Sequence, residues 1–154
     1  MLCAPALLSR SVKDKIHPAD IRTLTQLDEI GDLLSVWEAV WPGESGGWAR
    51  ILGEEIQRAP ERVRVLMAYD NDQPVASSYI VLDPRKTFAY LGGGATLASH
   101  RGRGLYRSLV AARARIAEAE GIANLAVEAS PGSAPILARL GFEVLTELRF
   151  FERE

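Results

Sequence analysis

A turn punctuated by glycine, Arg101-Gly102-Arg103-Gly104, stands between a β-prone run and a helical run opening at Leu105. Such a turn can hold a phosphate or a pyrophosphate. The first amides of a helix have no internal acceptors and its dipole places partial positive charge there, so an anion can take several main-chain hydrogen bonds at once. Gly102 and Gly104 would permit positive φ and a close approach, while Arg101 and Arg103 add charge. A surface turn that merely caps a helix would need the same two glycines. The spacing is not that of a P-loop, because no Gly-Lys-Ser/Thr ending is present, nor that of a dinucleotide fingerprint, because its three glycines are missing.

Other residues could act at such a site. Glu128 ends a β-prone run and is the candidate general base, with a solvated or salt-bridged strand-end glutamate as the plain alternative. Tyr106, in the first turn of the helix, either packs beside a ligand or fills a helix–sheet interface. Gly92-Gly93-Gly94 inside a strand calls for a bulge or a close backbone approach. Trp37, Trp41 and Trp48 could line a pocket, or their helical spacing could reflect core packing. Arg107, Arg113 and Arg115 read as the solvated face of the helix, His100 as an exposed turn residue, and His17 as isolated. One cysteine and two histidines offer no metal cluster.

The elements that must position these residues follow from periodicity. Leu27, Ile30, Leu34, Trp37 and Trp41 share one face of a helix over 26–41, with Thr25 as its cap and Pro42-Gly43 as its stop. A second helix over 48–58 turns Trp48, Ile51, Leu52 and Ile56 inward. Strands are expected over 63–69, 75–82 and 88–97, the first two joined as a hairpin through Asp70 to Pro74. Leu105, Leu109, Ala112 and Ile116 predict a long helix to about Glu120, closed by Gly121. A strand over 122–128, a short helix over 134–140 with Pro135 in its first turn, and a final strand over 142–152 complete a mixed α/β unit. A further strand could precede Thr25.

The 154 residues, 47% hydrophobic and 25% charged, suit one domain over 1–154, with 1–11 as a loose N-terminal arm. A net charge of −2 argues against a nucleic-acid partner, so an anion site must be local. Only Lys13, Lys15 and Lys86 are lysines, whereas five arginines crowd between Arg101 and Arg115, a bias that favours planar recognition of phosphate oxygens. The lone Cys3 permits no intrachain disulfide, which makes the cytoplasm the default compartment. The apolar stretch at Met1 to Leu8 is too short to span a membrane.

Taken together, these segments resemble the GNAT superfamily of N-acetyltransferases. That family's loop reads Gln or Arg, two residues, Gly, one residue, then Gly or Ala, and here the positions hold Arg101, Gly104 and Tyr106. The segment from Ser133 to Phe142 is similar to the family's short helix ending in Gly-Phe, and the element order from Val63 to Phe151 matches its core. The resemblance implies an acyl-CoA N-acyltransferase fold: a central, mostly antiparallel sheet with a splayed parallel pair and flanking helices. It implies acetyl-CoA as cosubstrate, its pyrophosphate on the loop from Arg101 to Leu105, and its pantetheine between the strand through Thr96 and Leu97 and the strand ending at Glu128. It further implies acetyl transfer to a primary amine, here a small acceptor, with Tyr106 as a catalytic candidate beside Glu128. The family's usual proton donor in the short helix is a tyrosine, where this chain has Leu137, and Ser130 replaces a frequent asparagine. Tyr106, Ser130, Ser133 or water could substitute. The alternative is a CoA-binding module without catalysis. No membrane partner is expected, and a homodimer could form through the final strand edge or the N-terminal helices.

Overall fold

A computed structural model describes residues 1–6, 8, 20–43 and 45–148, and every structural statement below concerns these. Six strands form one sheet: β1 (Leu2–Cys3), β2 (Asp20–Leu24), β3 (Val63–Asp70), β4 (Gln73–Leu82), β5 (Phe88–Thr96) and β6 (Asn124–Val127). Their spatial order is β1-β6-β5-β4-β3-β2, with β5 and β6 the one parallel pair. Helices α1 (Ile30–Val40) and α2 (Ser45–Arg58) cover one face, and α3 (Leu105–Ala119) and α4 (Ala134–Arg139) serve the other.

Alternation along the strands sorts side chains between two cores. Leu66 and Ala68 of β3 and Ala76 and Ile80 of β4 pack with Leu109, Val110, Ala114 and Leu137. Val65, Met67 and Tyr69 go to the opposite face with Leu33, Val36, Trp37 and Ile56. The hairpin between β3 and β4 is tighter than expected, with Asp70 already paired to Gln73. Asn71 and Asp72 both take positive φ, 48° and 60°, the geometry of a two-residue turn whose twist suits antiparallel strands. Pro74 then sits beside a register shift, where a strand tolerates its missing N–H.

Three expectations need correction. The opening residues are not a loose arm: Leu2 and Cys3 pair with Ala126 and Leu125, the terminal amine donates to Val127 O at 2.8 Å, and Leu8 is buried. Residues 9–11, like His17, lie outside the described residues. The final strand over 142–152 is not formed as far as Leu148; only Glu143 bridges to Leu2, and 149–152 lie outside the description. The free edge of β6 is already taken by β1, so Val144, Leu145 and Leu148 stay exposed. The first long helix begins at Ile30 after a 3-10 turn at Leu27–Glu29. There Glu29 reaches back to the amides of Thr25 and Gln26, at 2.7 and 3.0 Å, rather than Thr25 capping forward.

That shift rotates the buried face of α1. Leu33, Val36 and Trp37 are buried, while Ile30 and Leu34 are only partly covered and Trp41 is 39% exposed. On α2, Leu52 and Ile56 turn inward as expected, but Ile51 is exposed and Trp48 is 63% exposed. The tryptophans therefore do not form one stripe.

Candidate active site

The site is created where β5 and β6 part. Their parallel pairing runs from Phe88 with Asn124 to Leu91 with Val127 and then stops. β6 ends there, whereas β5 continues to Thr96 against β4. A bulge lies at that point: Ser77 pairs with Ala95 and Tyr79 with Gly92, so Ser78 faces both Gly93 and Gly94. One extra residue reverses the alternation, placing Ala89 and Leu91 on the α3 face but Ala95 on the α1 face.

Each glycine of the triplet makes room for an aromatic ring. A Cβ on Gly92 would overlap the Tyr79 ring, and one on Gly93 would lie 2.6 Å from Tyr79 and 2.7 Å from Trp37. On Gly94 it would meet Tyr106 at 2.8 Å. Gly93 also has φ 60°, a value that other residues adopt only with strain. Its carbonyl accepts from Ser77 Oγ at 3.3 Å, and Ser77 Oγ accepts from Trp37 Nε1 at 2.9 Å, so α1 holds the bulge through a buried relay. The triplet is thus a bulge packed under three rings.

A cavity of about 200 Å³ occupies the opening. Leu91 to Gly94 form one wall and Val127 and Glu128 the other, with Tyr106 and Arg113 of α3, Ser130, Ser133 and Trp41 completing it. Of the sequence candidates, the cavity therefore gathers Glu128, Tyr106, Ser130 and Ser133, together with Trp41 and the glycine triplet. Glu128 is exposed, and its charge adds to the burial that raises the Tyr79 hydroxyl and pushes Tyr90 up to about 12. Burial likewise raises the Tyr106 hydroxyl, with the Arg113 cation and a hydrogen bond to Ser133 acting in the opposite direction. Tyr106 therefore keeps its proton at neutral pH. Ser130 Oγ accepts from the Ser133 amide at 3.2 Å and starts the turn into α4.

The glycine turn does not line this cavity. It lies at the start of α3 and ends at Gly104, two positions before Tyr106. Gly102 and Gly104 have φ of 77° and 82°, and Gly104 is the residue from which the helix departs. Ser108 is the first residue to donate back, to Gly104 O at 3.0 Å, which leaves the amides of Leu105, Tyr106 and Arg107 without main-chain acceptors among the described residues. Leu105 anchors the turn in the core. Arg101 Nε donates to Thr96 O at 3.2 Å, folding that side chain back along β5, and Leu97 N donates to Val75 O at 2.9 Å. Arg103 lies 3.5 Å from Asp70. His100, expected as an exposed turn residue, is 18% exposed and meets Asp70 at 3.1 Å, tying the loop to the end of β3.

Leu137 and Arg113 bear on where an acid or a charge can act. Leu137, at the position of the family's usual acid, is 0% exposed and belongs to the core beneath α3 rather than to the cavity. Arg113, expected on a solvated face, is 2% exposed. Its Nε donates to Leu109 O at 3.2 Å, and its Nη1 donates to Tyr79 O at 3.1 Å and Gly92 O at 3.3 Å. No carboxylate pairs with it among the described residues, and burial pushes the guanidinium down to about 10, so it remains a cation at neutral pH. A signal existed: Arg113 stands four residues after Leu109 on the apolar side of the helix, a poor place for a charge without a task.

Comparison with known proteins agrees with this architecture. No curated protein sequence matches the chain. Among solved structures, the aminoglycoside N-acetyltransferase AAC(6')-Iy, in complex with a CoA-linked bisubstrate analogue, superposes with a TM-score of 0.73 at 22% identity, covering 90% of this chain and 99% of that one. The aminoglycoside 6'-N-acetyltransferase AAC(6')-Ih from Acinetobacter baumannii gives 0.70 at 20% identity, covering 88% and 98%. Glucosamine-6-phosphate N-acetyltransferase from Arabidopsis thaliana gives 0.69 at 12% identity, covering 88% and 100%. At these identities the likeness is one of fold. A family model matches residues 33–142, which include the splayed strands, the glycine turn and the short helix, and the chain accordingly belongs to the acetyltransferase (GNAT) family.

Proposed function

We propose that this protein transfers the acetyl group of acetyl-CoA to a primary amine on a small acceptor, by direct attack in a ternary complex. The observation that carries this reading is a cavity at the parting of β5 and β6 that takes Tyr106 from the first turn of α3, the helix whose leading amides have no main-chain acceptors. The pyrophosphate would take the amides from Gly102 to Leu105, Arg101 and Arg103 would add charge, and pantetheine would run past Thr96 and Leu97 toward the bulge. Ser130 would face it from the opposite side.

The chemistry then needs a free amine, a polarised thioester and a way to accommodate the departing sulfur. Glu128 lies in the wall of the cavity and is assigned as the base that takes the amine proton, directly or through water. Tyr106, protonated and next to the bulge, is assigned a place beside the thioester. A small acceptor suits the size of the cavity, and the names of the structural neighbours describe acetylation of aminoglycosides and of glucosamine-6-phosphate.

Acetyl transfer from acetyl-CoA to a panel of amino sugars and alkyl amines, followed by mass spectrometry, tests the proposal. Turnover with at least one amine is expected. Tight CoA binding with no turnover on any acceptor would favour the second reading, a binding module, for which the burial of Leu137 in the core speaks.

A further inference from the structure

A buried guanidinium without a carboxylate is costly, because its hydration is lost and only dipoles replace it. Arg113 meets that cost with three carbonyls, two of which belong to Tyr79 and Gly92, the paired residues that border the bulge. Yet the same side chain also lines the cavity, and the Gly92 carbonyl it holds follows Leu91, the last residue of β5 paired with β6. A clamp between β4 and β5 could have been made by a neutral donor. Placing a cation in the wall of a cavity opposes any positive ligand group beside it and favours a negative one.

Negative charge appears at two places in turn during thioester aminolysis, the carbonyl oxygen and then the sulfur, and only on the sulfur does it remain in the products. The amine lone pair attacks the carbonyl carbon, forming the C–N bond and an oxyanion. As that collapses, the C–S bond breaks, its electron pair goes to sulfur, and the amine proton leaves through the base. The products are the amide, CoA thiolate and a proton. We propose that the Arg113 guanidinium stabilises the departing thiolate of coenzyme A, performing by charge what a proton donor at the position of Leu137 would perform by protonation. Leu137 cannot reach the cavity, and the cation on the facing helix removes the need for it to do so. The groups facing Arg113 are Tyr79 on β4, Tyr106 on its own helix and Glu128 beyond β6. The first two are neutral near pH 7, and Glu128 opposes a thiolate, so the guanidinium is the source of attraction there.

The inference rests on the reading of the cavity as the seat of the thioester, and the test separates the two. CoA thiol is titrated on the native protein by thiolate absorbance in the ultraviolet, with affinity measured by calorimetry. A thiol pKa at least about one unit below that of free coenzyme A, titrated in the same buffer, is expected for sulfur beside a cation. Arg113→Gln should return it toward the free value and lower kcat about tenfold with little change in the KM for acetyl-CoA, while Arg113→Lys should keep most of the depression. A bound thiol titrating at or above the free value in the native protein would reduce Arg113 to a strand clamp and overturn the inference, whether or not Arg113→Gln folds. So would equal thiol pKa values in the native protein and a folded Arg113→Gln variant. Failure of the native protein to bind CoA at all would instead overturn the proposed function, and this inference with it.

Discussion

The two ends of the candidate site are built by different means. The turn from Arg101 to Gly104 uses main-chain amides at a helix start and two glycines at positive φ, all within a few consecutive residues. The reacting end uses side chains from α1, β4, β5, α3 and the segment after β6, and it uses glycine to make space as well as to bend. An anion cradle needs donors in a row, which one bend of chain supplies. Polarising a thioester and freeing an amine need unlike groups on opposite sides of one atom, which no single segment can supply.

This contrast can be broken from either end. Gly104→Asp should weaken CoA binding by about a thousandfold, roughly 4 kcal/mol, through repulsion at the helix start, with a melting temperature close to native because asparaginyl-type side chains tolerate φ near 82°. Unchanged calorimetric affinity would remove the turn from the site. Gly93→Ala should do the reverse, destabilising the fold by about 3 kcal/mol, or roughly 10 °C in Tm, because its Cβ meets two rings and its φ is 60°. Gly102→Ala, with open space and φ 77°, should cost only about 1 kcal/mol and raise the KM for acetyl-CoA. If both alanines cost the same, packing does not distinguish the ends.

Glu128→Gln should lower kcat about a hundredfold, roughly 2.7 kcal/mol, without altering CoA affinity, and a native-like rate would displace it from the role of base. The pH profile follows the amine. Below its pKa, about 10.4 for an alkyl amine, kcat/KM should rise with pH as free base accumulates. Because burial raises the Tyr106 hydroxyl above its usual value, its ionisation should bring no falling limb between neutrality and about pH 10. A fall in that interval would assign an acid of lower pKa.

The smallest effects concern two adjacent serines. Ser77→Ala should cost about 1 kcal/mol, since it leaves Trp37 Nε1 and Gly93 O without their partner. Ser78 Oγ is shut away from solvent with no partner, so Ser78→Ala should be neutral or slightly stabilising in thermal denaturation. Equal losses would show that the relay through Ser77 does not hold the bulge.

Legibility in the sequence followed the range of the interactions. The helix from Leu105 was readable because Gly104 and Gly121 mark its ends and its apolar period is local; both glycines have positive φ, and the amide of Ile122 returns to Ala117 O at 2.9 Å. The same holds for α4, where Gly141 has φ 94° and Phe142 N donates to Leu137 O at 3.0 Å. The misreadings fell where a distant segment intervened. Nothing near Phe142 announces that Leu2 and Cys3 occupy the edge of β6, and nothing near Trp48 says that Ala49, rather than Trp48 and Ile51, joins Leu52 and Ile56 on the buried face of α2. Gly92 to Gly94 announced an irregular strand, but not the three rings that fill it.

The sequence alone therefore determined the order of the elements from Ile30 to Arg139 and the chemical character of the turn at Arg101 to Gly104, because helix ends, turns and periodicity depend on neighbours along the chain. Tertiary structure alone decided that Arg113 is a buried cation, that Leu137 is core, and that Glu128 and Tyr106 share one cavity. Those outcomes depend on which faces the sheet presents to α3 and on where β5 and β6 separate. Both are set by long-range pairing and one inserted residue at a bulge.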